Sequence, residues 1–132
     1  MDVRVTTTID IVKADDDEQR IVFGWGSVAV TKAGEIVTDS DGYTYSVPAL
    51  EAAAYRHVEQ ARATGVGHEG DAVGVMVESL MVTPAKLEAL GLSSDAMPLG
   101  WWVGYRVDQP TWERVKSGEL RSFSIQGMGR VA

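Results

Sequence analysis

The chain has 132 residues, enough for one domain with a buried core and too few for separate cofactor and substrate domains. Its 45% apolar and 23% charged residues are those of a globular protein rather than a disordered or collagenous one. A net charge of -7 with no basic run excludes a nucleic-acid surface, and the absence of cysteine excludes disulfides, thiolate catalysis and sulfur-ligated zinc.

Met1-Asp2-Val3-Arg4-Val5 has no apolar leader, and no window approaches the roughly 18 apolar residues of a membrane span, so an intracellular protein is expected. Val3, Val5, Thr7, Ile9 and Ile11 alternate with polar residues, predicting a half-buried first strand. The run Asp15-Asp16-Asp17-Glu18 reads as a solvated turn, because a calcium loop needs regular ligand spacing and a turning glycine. No metal or cofactor site is expected.

Residues 21–30, Ile-Val-Phe-Gly-Trp-Gly-Ser-Val-Ala-Val, are apolar on both faces and predict a central strand. Its glycines mark a bulge or a close backbone approach at Trp25. Two extended pieces between Glu35 and Tyr45 are expected around the turn Asp39-Ser40-Asp41-Gly42. Ser46 and Pro48 open a helix that ends before Gly65. Leu50, Ala53, Ala54, His57, Val58 and Ala61 share one stripe of it, which makes His57 a hydrogen-bonded core histidine more readily than a catalyst.

His68 lies in Gly65-Val66-Gly67-His68-Glu69-Gly70. Such a loop can present an imidazole as a neutral-pH base, or carry an idle surface histidine. Strict alternation in the strand from Ala72 to Val82 puts Val73, Val75, Val77 and Met81 on one face, and Gly74, Met76, Glu78, Leu80 and Val82 on the other. A carboxylate in so apolar a run needs a partner, so Glu78 belongs to a structural ion pair or to a functional edge.

A short helix is expected from Pro84 to Leu90, a strand apolar on both faces from Gly100 to Val107, and a short helix from Pro110 to Lys116 ending at Ser117-Gly118. Trp101 and Trp102, one per face of that strand, read as core before they read as a ligand platform. In the last strand, Leu120 to Gly127, Phe123 and Ile125 face one way and Ser122, Ser124 and Gln126 the other. This is a polar solvent face, or a nucleophile that needs a base within reach.

Several segments, in consistent order along nearly the whole chain, resemble the XkdF-like phage serine proteases, relatives of the caudovirus prohead proteases. They are residues 20–28 (Arg-Ile-Val-Phe-Gly-Trp-Gly-Ser-Val), Asp39 to Gly42, Leu50 to Tyr55, His68 with Val77-Glu78-Ser79, Gly100-Trp101-Trp102-Val103-Gly104, and Trp112 to Ser124.

The resemblance implies an α+β, β-rich fold over residues 1–132: a small, mostly antiparallel β-barrel surrounded by short helices, like the herpesvirus assemblin proteases. It implies a serine endopeptidase of phage head maturation that acts in the host cytoplasm, inside the assembling prohead, on scaffold, on the scaffolding segment of the major capsid protein and on itself. A homodimer is a further implication. By the same resemblance Ser124 matches the nucleophile and His68 the family histidine, with Ser122 as the alternative serine. The third member is open between Glu78, which matches a recurrent family Glu, and His57. Backbone amides near Gln126 and Gly127, with Arg130, would stabilise the oxyanion, although Ile125-Gln126-Gly127 stands where Ile-Gly-Gly is commoner.

A non-catalytic capsid- or scaffold-associated module with the same barrel is the competing class, because fold does not fix function. A ligand-binding barrel using Trp101 and Trp102 is the third.

Overall fold

A strand with apolar residues on both faces is stable only where both faces and both edges are covered. In the computed structural model, which describes residues 8–10, 13–14, 19–38, 42–64 and 74–124, that place is taken by β5, Leu99–Val107. It lies between β3 (Ile21–Val30) and β4 (Gly74–Met81), and the short β2 (Lys13–Ala14) completes a four-stranded antiparallel sheet in the order β2-β3-β5-β4. β1 (Thr8–Asp10) pairs with β6 (Ser122–Ser124) in a second antiparallel ladder and also lies against β3.

The protein is thus α+β with antiparallel sheets, as expected. Among the described residues no closed barrel forms: the four-stranded sheet ends at β4 on one side and at the two-residue β2 on the other. Of the expected first strand, residues 8–10 are seen as β1, and residues 3–7 and 11 lie outside the described residues, as does the acidic run 15–18. Of the two extended pieces between Glu35 and Tyr45 the described residues show single bridges, Val30 with Ile36 and Thr38 with Thr44, and residues 39–41 of the expected turn lie outside the described residues.

The helices follow their caps. The Ser46 hydroxyl accepts from the Ala49 N–H (3.2 Å), starting α1, Val47–Thr64. Thr83 caps α2 (Pro84–Ala89) through the Lys86 N–H (3.2 Å), and Asp108 caps α3 (Gln109–Lys116) through the Thr111 N–H (2.9 Å). Gly118, at φ +81°, ends α3 and turns the chain so that the Leu120 N–H reaches the Arg114 carbonyl (3.0 Å). Lys86 ties α2 to its neighbours, donating to the Met81 carbonyl and the Tyr55 hydroxyl, both at 2.8 Å.

One face of the sheet is the core. Val22, Met81, Trp101, Val103, Tyr105 and Val107 pack there with Leu50 and Ala54 of α1, Trp112 of α3 and Leu120. Register places the opposite set, Ile21, Phe23, Trp25, Trp102, Gly104, Arg106, Val75, Glu78 and Leu80, on the other face. There Trp102 meets Trp25 edge-on, with ring centroids 5.1 Å apart, and Phe23 at 5.7 Å. The two tryptophans divide as a central strand demands: Trp101 is core, and Trp102 belongs to this half-buried aromatic group.

Strict alternation fails in β4. Met76 opposes Tyr105 while Glu78 opposes Gly104, two steps against one, so a bulge at Val77 reverses the phase of everything after it. Gly74, Met76, Ser79 and Met81 therefore share the core face, and Val75, Glu78 and Leu80 the other. Glu78, like Val77, Ser79 and Leu80 of this edge strand, is exposed; the apolar run does not bury it.

β3 carries register shifts on both sides of Ser27 and Val28, the first at Gly26, so the bulge expected beside Trp25 is present. The close approach is felt across the ladder at Gly100, where an added Cβ would lie 2.5 Å from the Ser27 carbonyl oxygen and 2.9 Å from Val28 Cα. Both are backbone atoms and cannot swing aside. Gly100→Ala is expected to destabilise the fold by about 1–3 kcal/mol, as overpacking does. Urea denaturation would show a lower midpoint at unchanged slope, and an unchanged midpoint would refute the close approach.

Candidate active site

Leu120 is the anchor from which the serine segment starts. It is buried, held by its hydrogen bond to α3, and two residues later the chain enters β6. β6 runs antiparallel to β1 with Ser124 opposite Thr8, Phe123 opposite Ile9 and Ser122 opposite Asp10. Ser122 and Ser124 thus occupy alternate register positions, with Phe123 between them. His68, Gln126, Gly127 and Arg130 lie outside the described residues.

Glu78 stands on the sheet face away from the helices, directly across from Gly104. Its carboxylate reaches over the β5 backbone: a Cβ on Gly104 would be 2.6 Å from Glu78 Oε1. Phe23 pairs with Gly104 from the other side, so the carboxylate lies next to the Phe23, Trp25 and Trp102 group. Among the described residues Glu78 makes no ion pair.

His57 is on the core side. Its ring meets Trp101 edge-on at 5.5 Å and 70°, and the Trp101 Nε1–H donates to the Ser79 hydroxyl at 2.8 Å. Burial lowers the His57 pKa, favouring the neutral ring. The stripe reading of His57 therefore holds in its placement, although an aromatic contact rather than a hydrogen bond is what the ring makes with Trp101.

The two candidates for a third catalytic member are consequently on opposite faces of one sheet. Two residues of this region were not singled out from the sequence. Ser79 reaches the core face only through the bulge, which no periodicity shows. Gly104, a glycine in the middle of an apolar strand, did carry a signal.

Among the described residues no group of three or more His, Cys, Asp or Glu could hold a metal ion, and no helix is long and apolar enough to cross a membrane.

Comparison with known proteins places this geometry in context. The model of a family described as "Putative phage serine protease XkdF" matches residues 8–132. The chain is also similar to the "Phage-like element PBSX protein XkdF" of Bacillus subtilis (strain 168), at 28% identity over 121 residues. That alignment covers 90% of this chain and 40% of the relative. No solved structure matches it.

The His57 environment sets a pH dependence. The unfolded chain takes up the proton near the ordinary value of 6.5, whereas the folded chain takes it up only at lower pH. Stability is therefore full above pH 6.5, falls as the pH drops toward the folded pKa, and levels off below it. Denaturation midpoints measured between pH 7.5 and pH 5 (roughly one unit or more either side of 6.5) should show this fall in the parent chain. In His57→Gln the fall should be smaller, and an equal fall in both would contradict the assignment.

Proposed function

Because the chain belongs to the family described as "Putative phage serine protease XkdF", we propose that it is a serine endopeptidase of phage head maturation. Its substrates are the scaffold or the scaffolding segment of the capsid protein, and its own chain. The observation that carries this reading is the single family match from residue 8 to residue 132, which runs through His68, Glu78 and Ser124 together. The fold supports it: Ser124 is on a short strand whose partner, β1, also lies against the main sheet. A nucleophile needs such a fixed backbone, because its base must find it within hydrogen-bond reach.

In the proposed reaction His68 accepts the proton of the Ser124 hydroxyl as Oγ attacks the peptide carbonyl. Backbone amides near Gln126 and Gly127, with Arg130, receive the charge that develops on the carbonyl oxygen. The imidazolium then protonates the leaving amine, and water, deprotonated by the same histidine, hydrolyses the acyl-enzyme. Glu78 orients the histidine and stabilises its protonated form. His57 is not assigned to this role, since the ring that packs against Trp101 is on the helix-covered side of the sheet.

Coexpression with a phage scaffold protein and major capsid protein from the same source tests the proposal. The parent chain should cut one of them, Ser124→Ala should leave both intact, and Glu78→Gln should slow cutting with a loss roughly a hundredfold smaller than that of the serine variant. Intact partners with the parent chain would favour a non-catalytic capsid- or scaffold-associated module. Undiminished cutting by Ser124→Ala would remove that serine from the mechanism.

A further inference from the structure

Among the described residues β4 is an open edge of the four-stranded sheet, and five of its eight residues are exposed: Val75, Val77, Glu78, Ser79 and Leu80. Val75 is 47% exposed, and Val77 and Leu80 are 43% exposed. Scattered exposed apolar residues are ordinary, but three on one short stretch of edge form a strip. Edge strands are commonly guarded by lysine or proline, and β4 has neither.

The direction of its backbone groups follows from the ladder. The Gly100 carbonyl of β5 accepts the Val82 N–H at 2.7 Å, whereas the Val107 N–H turns the other way, to the Arg20 carbonyl at 2.9 Å. Even-numbered residues of β5 therefore bond toward β4 and odd-numbered ones toward β3. Val75, Glu78 and Leu80 stand opposite Arg106, Gly104 and Trp102, and so they bond inward. Met76 and Ser79 stand opposite Tyr105 and Val103 and turn outward. Met81 also turns outward, and Lys86 Nζ takes its carbonyl at 2.8 Å, closing that end. The Val77 bulge is absorbed in this count: β5 has only Gly104 between the partners of Met76 and Ser79, so a regular strand on the outer side needs one residue there too.

An added strand would set alternate side chains beside Val75, Glu78 and Leu80. Glu78 is the one charge of β4 and makes no ion pair among the described residues. Arg106, the exposed cation on that face, lies one strand further in, across from Val75.

We propose that the outer edge of β4 binds an extended segment of another protein, antiparallel like every pairing of this sheet, in which a lysine or arginine has an apolar residue two positions away on each side. The basic side chain pairs with Glu78, and the apolar ones cover Val75 and Leu80. The two intervening residues exchange backbone hydrogen bonds with Met76 and Ser79. A carboxylate accepts through both oxygens, so this pairing is compatible with the orienting role of Glu78 above, and it does not depend on that role. A second copy of this chain is a poor occupant. Pairing Met76 with Ser79 of the copy would bring two Glu78 carboxylates together, in chains of net charge -7.

The test uses the full chain and a fluorescent peptide with the core Val-Thr-Lys-Thr-Val, followed by anisotropy. The peptide should bind, and glutamate in place of its lysine should weaken binding by about fivefold or more, since an attractive cross-strand pair becomes a repulsive one. In Glu78→Lys the preference should reverse. N-methylation of the two threonine amides, which face β4, should abolish binding. N-methylation of the lysine amide, which faces away, should not.

No binding at about 1 mM peptide, the weak end of specific recognition, would overturn the proposal, and a chain that then sediments as a dimer would assign the edge to a second copy. Equal affinity for the lysine and glutamate peptides, or equal loss from both N-methylations, would overturn it as well. The peptide arms leave the chain untouched, so they decide the matter even if Glu78→Lys does not fold.

Discussion

At two places β5 is approached as closely as only glycine allows. The β3 backbone comes so near Gly100 that no Cβ fits beneath the Ser27 carbonyl, and the Glu78 side chain occupies the place of a Cβ at Gly104. Between these points Trp101 and Val103 are buried on one face and Trp102 joins Trp25 and Phe23 on the other. The strand thus separates two environments. Toward the helices is a dry core closed by Leu50, Ala54, Trp112 and Leu120, and away from them is a half-open aromatic surface with a carboxylate on it. Dispersion and apolar burial on the first side hold the frame.

The bulge at Val77 connects the two. Without it, Glu78 would follow Gly74 and Met76 onto the core face, where an uncompensated charge is expensive. With it, Glu78 lies on the other face, and Ser79, itself exposed, accepts the Trp101 N–H. Trp101 in turn meets His57, whose neutral ring is favoured by burial. One extra residue in an edge strand therefore decides which face Glu78 and Ser79 take.

Much of the frame was legible because the signals were local. Ser46, Thr83 and Asp108 cap their helices through their own side chains, and Gly118 ends α3 in the left-handed conformation that glycine tolerates best. The two-faced apolar runs were correctly central, since no other position shelters them. The phase of β4 was not legible: a bulge arises from how two strands pair, and nothing in residues 74–81 alone marks it. On either side of residues 39–41 single bridges stand where strands were expected, extended conformation being only half of what a strand requires. The candidate site divides in the same way. The His57 environment followed from helical spacing, and the Glu78 environment was inverted by the bulge. The relation between His68 and Ser124 depends on a segment outside the described residues.

The chain belongs to the family described as "Putative phage serine protease XkdF", and the nucleophile is the point on which the proposed function turns. Ser122 and Ser124 occupy alternate positions of one strand, and Ser79 accepts the Trp101 N–H on the main sheet, so the identity of the reactive serine is a sharp question. The most direct measurement is peptide mapping by mass spectrometry of the chain after fluorophosphonate treatment, with a heat-denatured sample as control. An adduct on Ser124 in the folded chain alone is the expected result. An adduct on Ser122 or Ser79 instead, or equal labelling of folded and denatured chains, would contradict it.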